Sequence, residues 1–180
     1  MGWRCISVKG RDGLEIRAHS GYFYNPSRAD LQKTRQHDLD QAVYSPFDLT
    51  ALPITARWKQ TVAGEKPGEM RAEFELILPA NFTEIDDADN NRIELDIVAL
   101  ARASDGKGIG VPVSRTIEGH LNASQVKQLR EKGLTYANAL ELPSGEYTVR
   151  FVVRDGLNGR IGSVAAPLKV SIPAAGASAN

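Results

Sequence analysis

Cysteine is almost missing from this chain: Cys5 stands alone among 180 residues. That excludes a disulfide within the chain and any cysteine-rich zinc site, and leaves Cys5 as a small apolar residue in a strand. An excess of one charge is missing too, because 22 lysines and arginines balance 22 aspartates and glutamates. Nothing in the total charge draws the chain to nucleic acid or an anionic surface. No segment approaches the ~20 consecutive apolar residues that cross a bilayer, so a soluble chain without membrane insertion is expected. Residues 1–20 interleave Trp3, Ile6 and Val8 with Arg4, Ser7 and Lys9, which is not the pattern of a secretory signal; an exported parent would carry its signal outside this chain.

Catalytic signatures are equally scarce. The three histidines, His19, His37 and His120, are scattered with no second histidine at ligand spacing, and no serine occupies a G-x-S-x-G turn. Gly106-x-Gly108-x-Gly110 has the wrong spacing for a phosphate loop and runs into VPVSRTI, a strand, where no helix N-terminus would hold an anion. The acidic run offers Asp86, Asp87, Asp89 and Asn91 as the best calcium candidates, since clustered carboxylate and amide oxygens suit that ion. Counted from Asp87, however, Arg92 stands where the helical calcium loop needs glycine and Val98 where it needs glutamate, so an acidic hairpin tip is the expectation. Asp38, Asp40 and Glu118 would serve a hydrolase only if folding paired them. No enzyme, cofactor or metal is expected.

What is present is alternation. In WRCISVKGRDGLEIRAHSGYFY, Trp3 and Cys5, then Leu14, Ile16 and Ala18, recur at period two around Arg11-Asp12-Gly13, which predicts a β-hairpin over residues 1–24. Its apolar side needs a cover: an upstream domain of the same protein, another protein, or a second copy in a weak homodimer through residues 1–24. Pro26-Ser27 opens a connector helix, residues 25–46, with a narrow stripe of Leu31, Leu39, Ala42 and Val43, and Pro46 ends it.

From residue 50 the chain turns to short alternating runs broken by glycine, asparagine and proline. Ile54, Ala56 and Trp58 share one side of the first run; Ala72, Phe74, Leu76 and Leu78 oppose Arg71, Glu73 and Glu75 in the second. Ile93, Leu95 and Ile97 continue, but Val98 and Leu100 change the parity, which predicts a bulge or a strand buried on both faces. Asn122 and Gln125 frame a short helix that Gly133 terminates. Tyr147, Val149, Phe151 and Val153 alternate after Pro143-Ser144-Gly145, and a last strand ending at Ile172 belongs at an edge because Pro167 cannot donate to a ladder.

About seven strands make a mainly β chain, an immunoglobulin- or fibronectin-like antiparallel sandwich over residues 47–173, followed by a disordered tail over 174–180. Leu142-x-x-Gly145-x-Tyr147 is the cue for a structural tyrosine whose hydroxyl returns to nearby backbone. The aromatics Trp58, Tyr22, Phe23 and Tyr24 would be the stacking platform of a carbohydrate-binding module, the rival reading.

Arg17, Gly21 and Tyr22 in the opening run, with the helix ending LDQAVYSPFDLTALPITA, resemble the region after the von Willebrand factor A domain in bacterial VWFA-related proteins best known from acidobacteria. The resemblance covers residues 1 to about 58; the Asp-x-Ser-x-Ser metal motif of that A domain is absent here. It implies a C-terminal part of a secreted, periplasmic or cell-surface protein, and the expected function is a non-enzymatic binding or structural module.

Overall fold

The computed structural model describes the backbone of residues 2–5, 21–24 and 28–171, and side chains from residue 32 onward. It divides into two compact units, residues 1–37 and 38–180. In the first, β1 (Gly2–Cys5) pairs antiparallel with β2 (Gly21–Tyr24), Trp3 opposite Phe23. The expected strand at Leu14–Ala18 and its Arg11–Gly13 turn lie outside the described residues, as do His19 and the tail. Helix α1 (Arg28–Tyr44) then begins.

The second unit carries seven antiparallel strands in two sheets. They are β3 (Thr55–Ala63), β4 (Glu69–Leu78), β5 (Arg92–Arg102), β6 (Gly108–His120), β7 (Leu134–Pro143), β8 (Gly145–Asp155) and β9 (Ile161–Val170). One sheet has the order β3-β4-β7, the other β6-β5-β8-β9. Between them lies a core of Phe74, Leu76, Leu95, Ile97, Leu140, Leu142, Val149 and Phe151, each at or below 1 % exposure, which removes this many large apolar side chains from water. The alternation read in the sequence is what fills it, because period two sends every second residue of β4 inward. As expected from Pro167, β9 is an edge strand, with β8 as its one neighbouring strand and an isolated bridge from Thr50 to Gly162 at its start.

The inward parity of β5 does not change, since Ile93, Leu95, Ile97, Ala99 and Ala101 are all buried. Of the two expectations, it is the strand covered on both faces that explains Val98 and Leu100. A register shift against β6 falls between Ala99 and Ala101. Val98 and Leu100 face outward into a second apolar layer formed with Val152 of β8, Ile161 of β9, and Leu39, Ala42, Val43 and Leu49. The end of α1 keeps its polar side exposed and turns the stripe of Leu39, Ala42 and Val43 onto the sheet: from Asp38 onward the chain belongs to the sandwich and roofs its four-stranded sheet. The strap continues through Leu52, whose amide donates to the Ile161 carbonyl at 3.2 Å, and Ser163 exchanges two hydrogen bonds with Leu49.

Between β6 and β7, α2 (Ala123–Lys132) is set by its ends. Asn122 and Gln125 form a capping box, satisfying amides that a helix start leaves orphaned, and Gly133 closes the other end at φ +74°.

Candidate binding groove and the buried charges

Several of the charges buried in this unit hold backbone. Arg150, 5 % exposed, reaches from β8 to the end of α1: its Nε donates to the Ala42 carbonyl at 3.4 Å, and its two terminal nitrogens take Asp48 and the Phe47 carbonyl. Arg102 of β5 donates to the Val43 carbonyl and lies 4.8 Å over the Tyr44 ring. The last carbonyls of a helix lack intrahelical donors and sit at the negative end of its dipole, so two guanidinium groups are the groups they need. Arg154, next along the same face, pairs with Asp38 at 3.2 Å. Asp96, 2 % exposed, accepts from the Thr116 hydroxyl at 3.0 Å and faces Arg154 at 3.9 Å.

Asp155, fully buried, does the same for the β8–β9 turn. Its carboxylate accepts from the amides of Glu84 at 2.8 Å, Leu157 at 3.0 Å and Asn158 at 3.4 Å, tying the β4–β5 loop to the turn.

The calcium candidates sit on a short turn, Asp87–Asp89, and each makes contacts of its own. Asp86 caps the turn by accepting from Ala88 and Asp89; Asp87 takes Arg130 of α2 through both oxygens at 3.2 Å; Asp89 faces His120 at 3.7 Å; the Asn91 amide donates to the Leu121 carbonyl. Among the described residues no three His, Cys, Asp or Glu side chains are placed to hold a metal ion. Asp38 and Glu118 are not brought together: Asp38 goes to Arg154, Glu118 to Arg92. Glu118 and then Glu94 hold the Arg92 guanidinium more firmly charged than usual. His37 lies on α1 and His120 on β6.

Tyr147 and Gly145 form one unit. The Tyr147 ring is 8 % exposed, and its hydroxyl donates to the Pro143 carbonyl at 3.0 Å. A Cβ on Gly145 would stand 2.7 Å from that hydroxyl, so the turn keeps glycine to let the ring fold back over it. Burial pushes the phenol pKa up. Trp58, the leading sugar-stacking candidate, is turned inward: its ring lies 5.5 Å from Phe151 and 6.2 Å from Phe74, and its Nε1–H donates to the Pro167 carbonyl at 2.9 Å. The side chains of Tyr22, Phe23 and Tyr24 lie outside the described ones.

The surface feature that sequence reading missed is a groove of about 410 Å³ between the edge strands β6 and β7, roofed at one end by the β3–β4 turn. Glu65 and Lys66 come from the turn and Glu69 from the start of β4, Gly110 to Arg115 from β6, and Asn138, Ala139 and Glu141 from β7. Gly110, φ +70°, lies where a Cβ would be 2.8 Å from the Glu141 carbonyl, so only glycine lets β6 close on β7 at that end. Beside it Val111 is 78 % exposed. Glu65 and Glu69 are the two carboxylates, among the described side chains, that make neither an ion pair nor a hydrogen bond; Lys66 and Arg115 make none either.

No protein-family model and no curated protein matches the chain. Among solved structures, one described as the X-ray structure of Northeast Structural Genomics Consortium target SoR45 is similar at 11 % identity and a TM-score of 0.33, over 72 % of this chain and 91 % of that one.

Proposed function

We propose that the chain is a non-enzymatic binding or structural module of a larger exported or surface bacterial protein, built on a sandwich of the immunoglobulin/fibronectin-like kind. The observation that carries the reading is the division of its charges. Arg102, Arg150, Arg154 and Asp155 hold backbone and the strap over the sheet, while the carboxylates that have no partner among the described residues, Glu65 and Glu69, stand on a surface groove. Catalytic groups are normally perturbed and convergent in a cleft, whereas these buried groups are dispersed and each serves the fold. Strand order supports the fold type: lettered A to G along β3 to β9, strands A, B and E form one sheet and D, C, F and G the other, with the tyrosine near the start of F. The bacterial, exported setting rests on the resemblance of residues 1–58.

Incubation of the full chain with chromogenic glycosides, esters, phosphates and peptides tests the reading. It predicts no turnover above buffer. Turnover that disappears on substituting one carboxylate of the sandwich would overturn it.

A further inference from the structure

We propose that the groove between β6 and β7 docks an extended segment of another polypeptide, one carrying a basic side chain at the β3–β4 turn end and an acidic side chain about five residues away, near Arg115. The inference rests on the module reading above and names its site and partner class.

Shape sets the first condition. From Gly110 to Arg115 the β6 wall runs roughly 16 Å at a strand rise of about 3.3 Å per residue. An extended chain of about five residues laid along that wall matches its length.

Charge sets the second. At the turn end stand Glu65 and Glu69, unpaired, with the single cation Lys66 between them, beside Glu141, which gives one oxygen to Arg71 at 3.4 Å and leaves the other buried without a hydrogen-bond partner, so acids outnumber bases at this end. At the far end the Arg115 guanidinium makes no ion pair or hydrogen bond among the described residues. Elsewhere among the described side chains the surface acids are satisfied within the fold, as in Lys59–Glu75, Arg130–Asp87 and Lys169–Glu146. A guest with the opposite polarity would complete the set, and Val111 offers it an apolar contact between.

The walls decide how the guest is held. Pro112 has no N–H for a ladder, and on β7 the Ala139 amide is already taken by the Asn138 side chain at 2.8 Å. Side-chain contacts, more than a continued sheet, therefore fix the guest, and its affinity falls with salt.

A display library of random nine-residue peptides, selected on the full chain at low salt, tests this. The peptides recovered are then titrated into isotope-labelled full chain while amide shifts are followed. The expected result is enrichment of a basic and an acidic residue about five apart, shifts at residues 110–115 and 138–141, and at least tenfold weaker binding to E65K/E69K and to R115E, whose melting matches the parent. Failure to enrich such peptides over the charge-reversed variants, or shifts elsewhere, overturns the groove assignment and leaves the module reading standing. Peptides returned cleaved would overturn the module reading itself.

Discussion

The hydroxyl of Tyr147 donates to the carbonyl of Pro143, four residues earlier, at 3.0 Å, and the ring crosses the face of Gly145 to get there. The contact locks the turn between the two sheets, because Pro143 ends β7 and Tyr147 lies in β8. Tyr147→Phe is expected to cost about 1 to 2 kcal/mol in urea unfolding, since the Pro143 residue is exposed enough for water to recover part of the bond. Gly145→Ala is expected to cost about 1 to 3 kcal/mol by forcing the ring aside. The two losses should be less than additive, because both act on one contact. Strict additivity would show that ring and glycine are independent.

A pH dependence follows from the same side chain. Burial raises the Tyr147 pKa above its unfolded value of about 10, so the folded state holds the phenol proton more tightly. The corresponding stability is complete below pH about 10 and is lost as pH rises through the unfolded and then the folded pKa. Urea midpoints from pH 8 to 11 should fall more steeply for the parent than for Tyr147→Phe. Parallel slopes would place the ring in water.

Trp58 should report the core and ignore sugars. Its contacts with Phe74 and Phe151 predict that Trp58→Ala costs about 2 to 4 kcal/mol, toward the lower part of the range for large aromatics because the ring is half-buried. In a Trp3→Phe background its emission should not move on adding oligosaccharides. A saturable shift would revive the carbohydrate reading.

Much of the sandwich was legible because one face of each inner strand is dry. Ala72, Phe74, Leu76 and Leu78 announce β4 by alternation, and Pro167 announces an edge. The roof was legible only in part. Val98, Leu100 and Val152 are apolar residues on the outward parity of β5 and β8, the signature of a second covered face, and they make Arg150 between them a buried group instead of a solvated one. Period two alone does not say what covers an outer face; Leu39, Ala42 and Val43 do so through contacts 55 to 113 residues distant in sequence. The groove was invisible for a different reason. Glu65, Glu69 and Arg115 are ordinary polar residues in a turn and an edge strand, and only the meeting of β6 with β7 across the two sheets brings them together.

The division of labour between buried and groove charges is best tested by one set of urea unfolding curves on full-chain variants. Arg150→Ala should lose about 2 to 3 kcal/mol, less than a fully buried ion pair because Asp48 is half in water, and Asp155→Ala about 3 kcal/mol through three deserted amides. Glu65→Gln, Glu69→Gln and Arg115→Gln should each stay within about 0.5 kcal/mol of the parent. Groove variants as unstable as Asp155→Ala, or a fully stable Arg150→Ala, would contradict the claim that this fold keeps its buried charges for architecture and the groove charges for a partner.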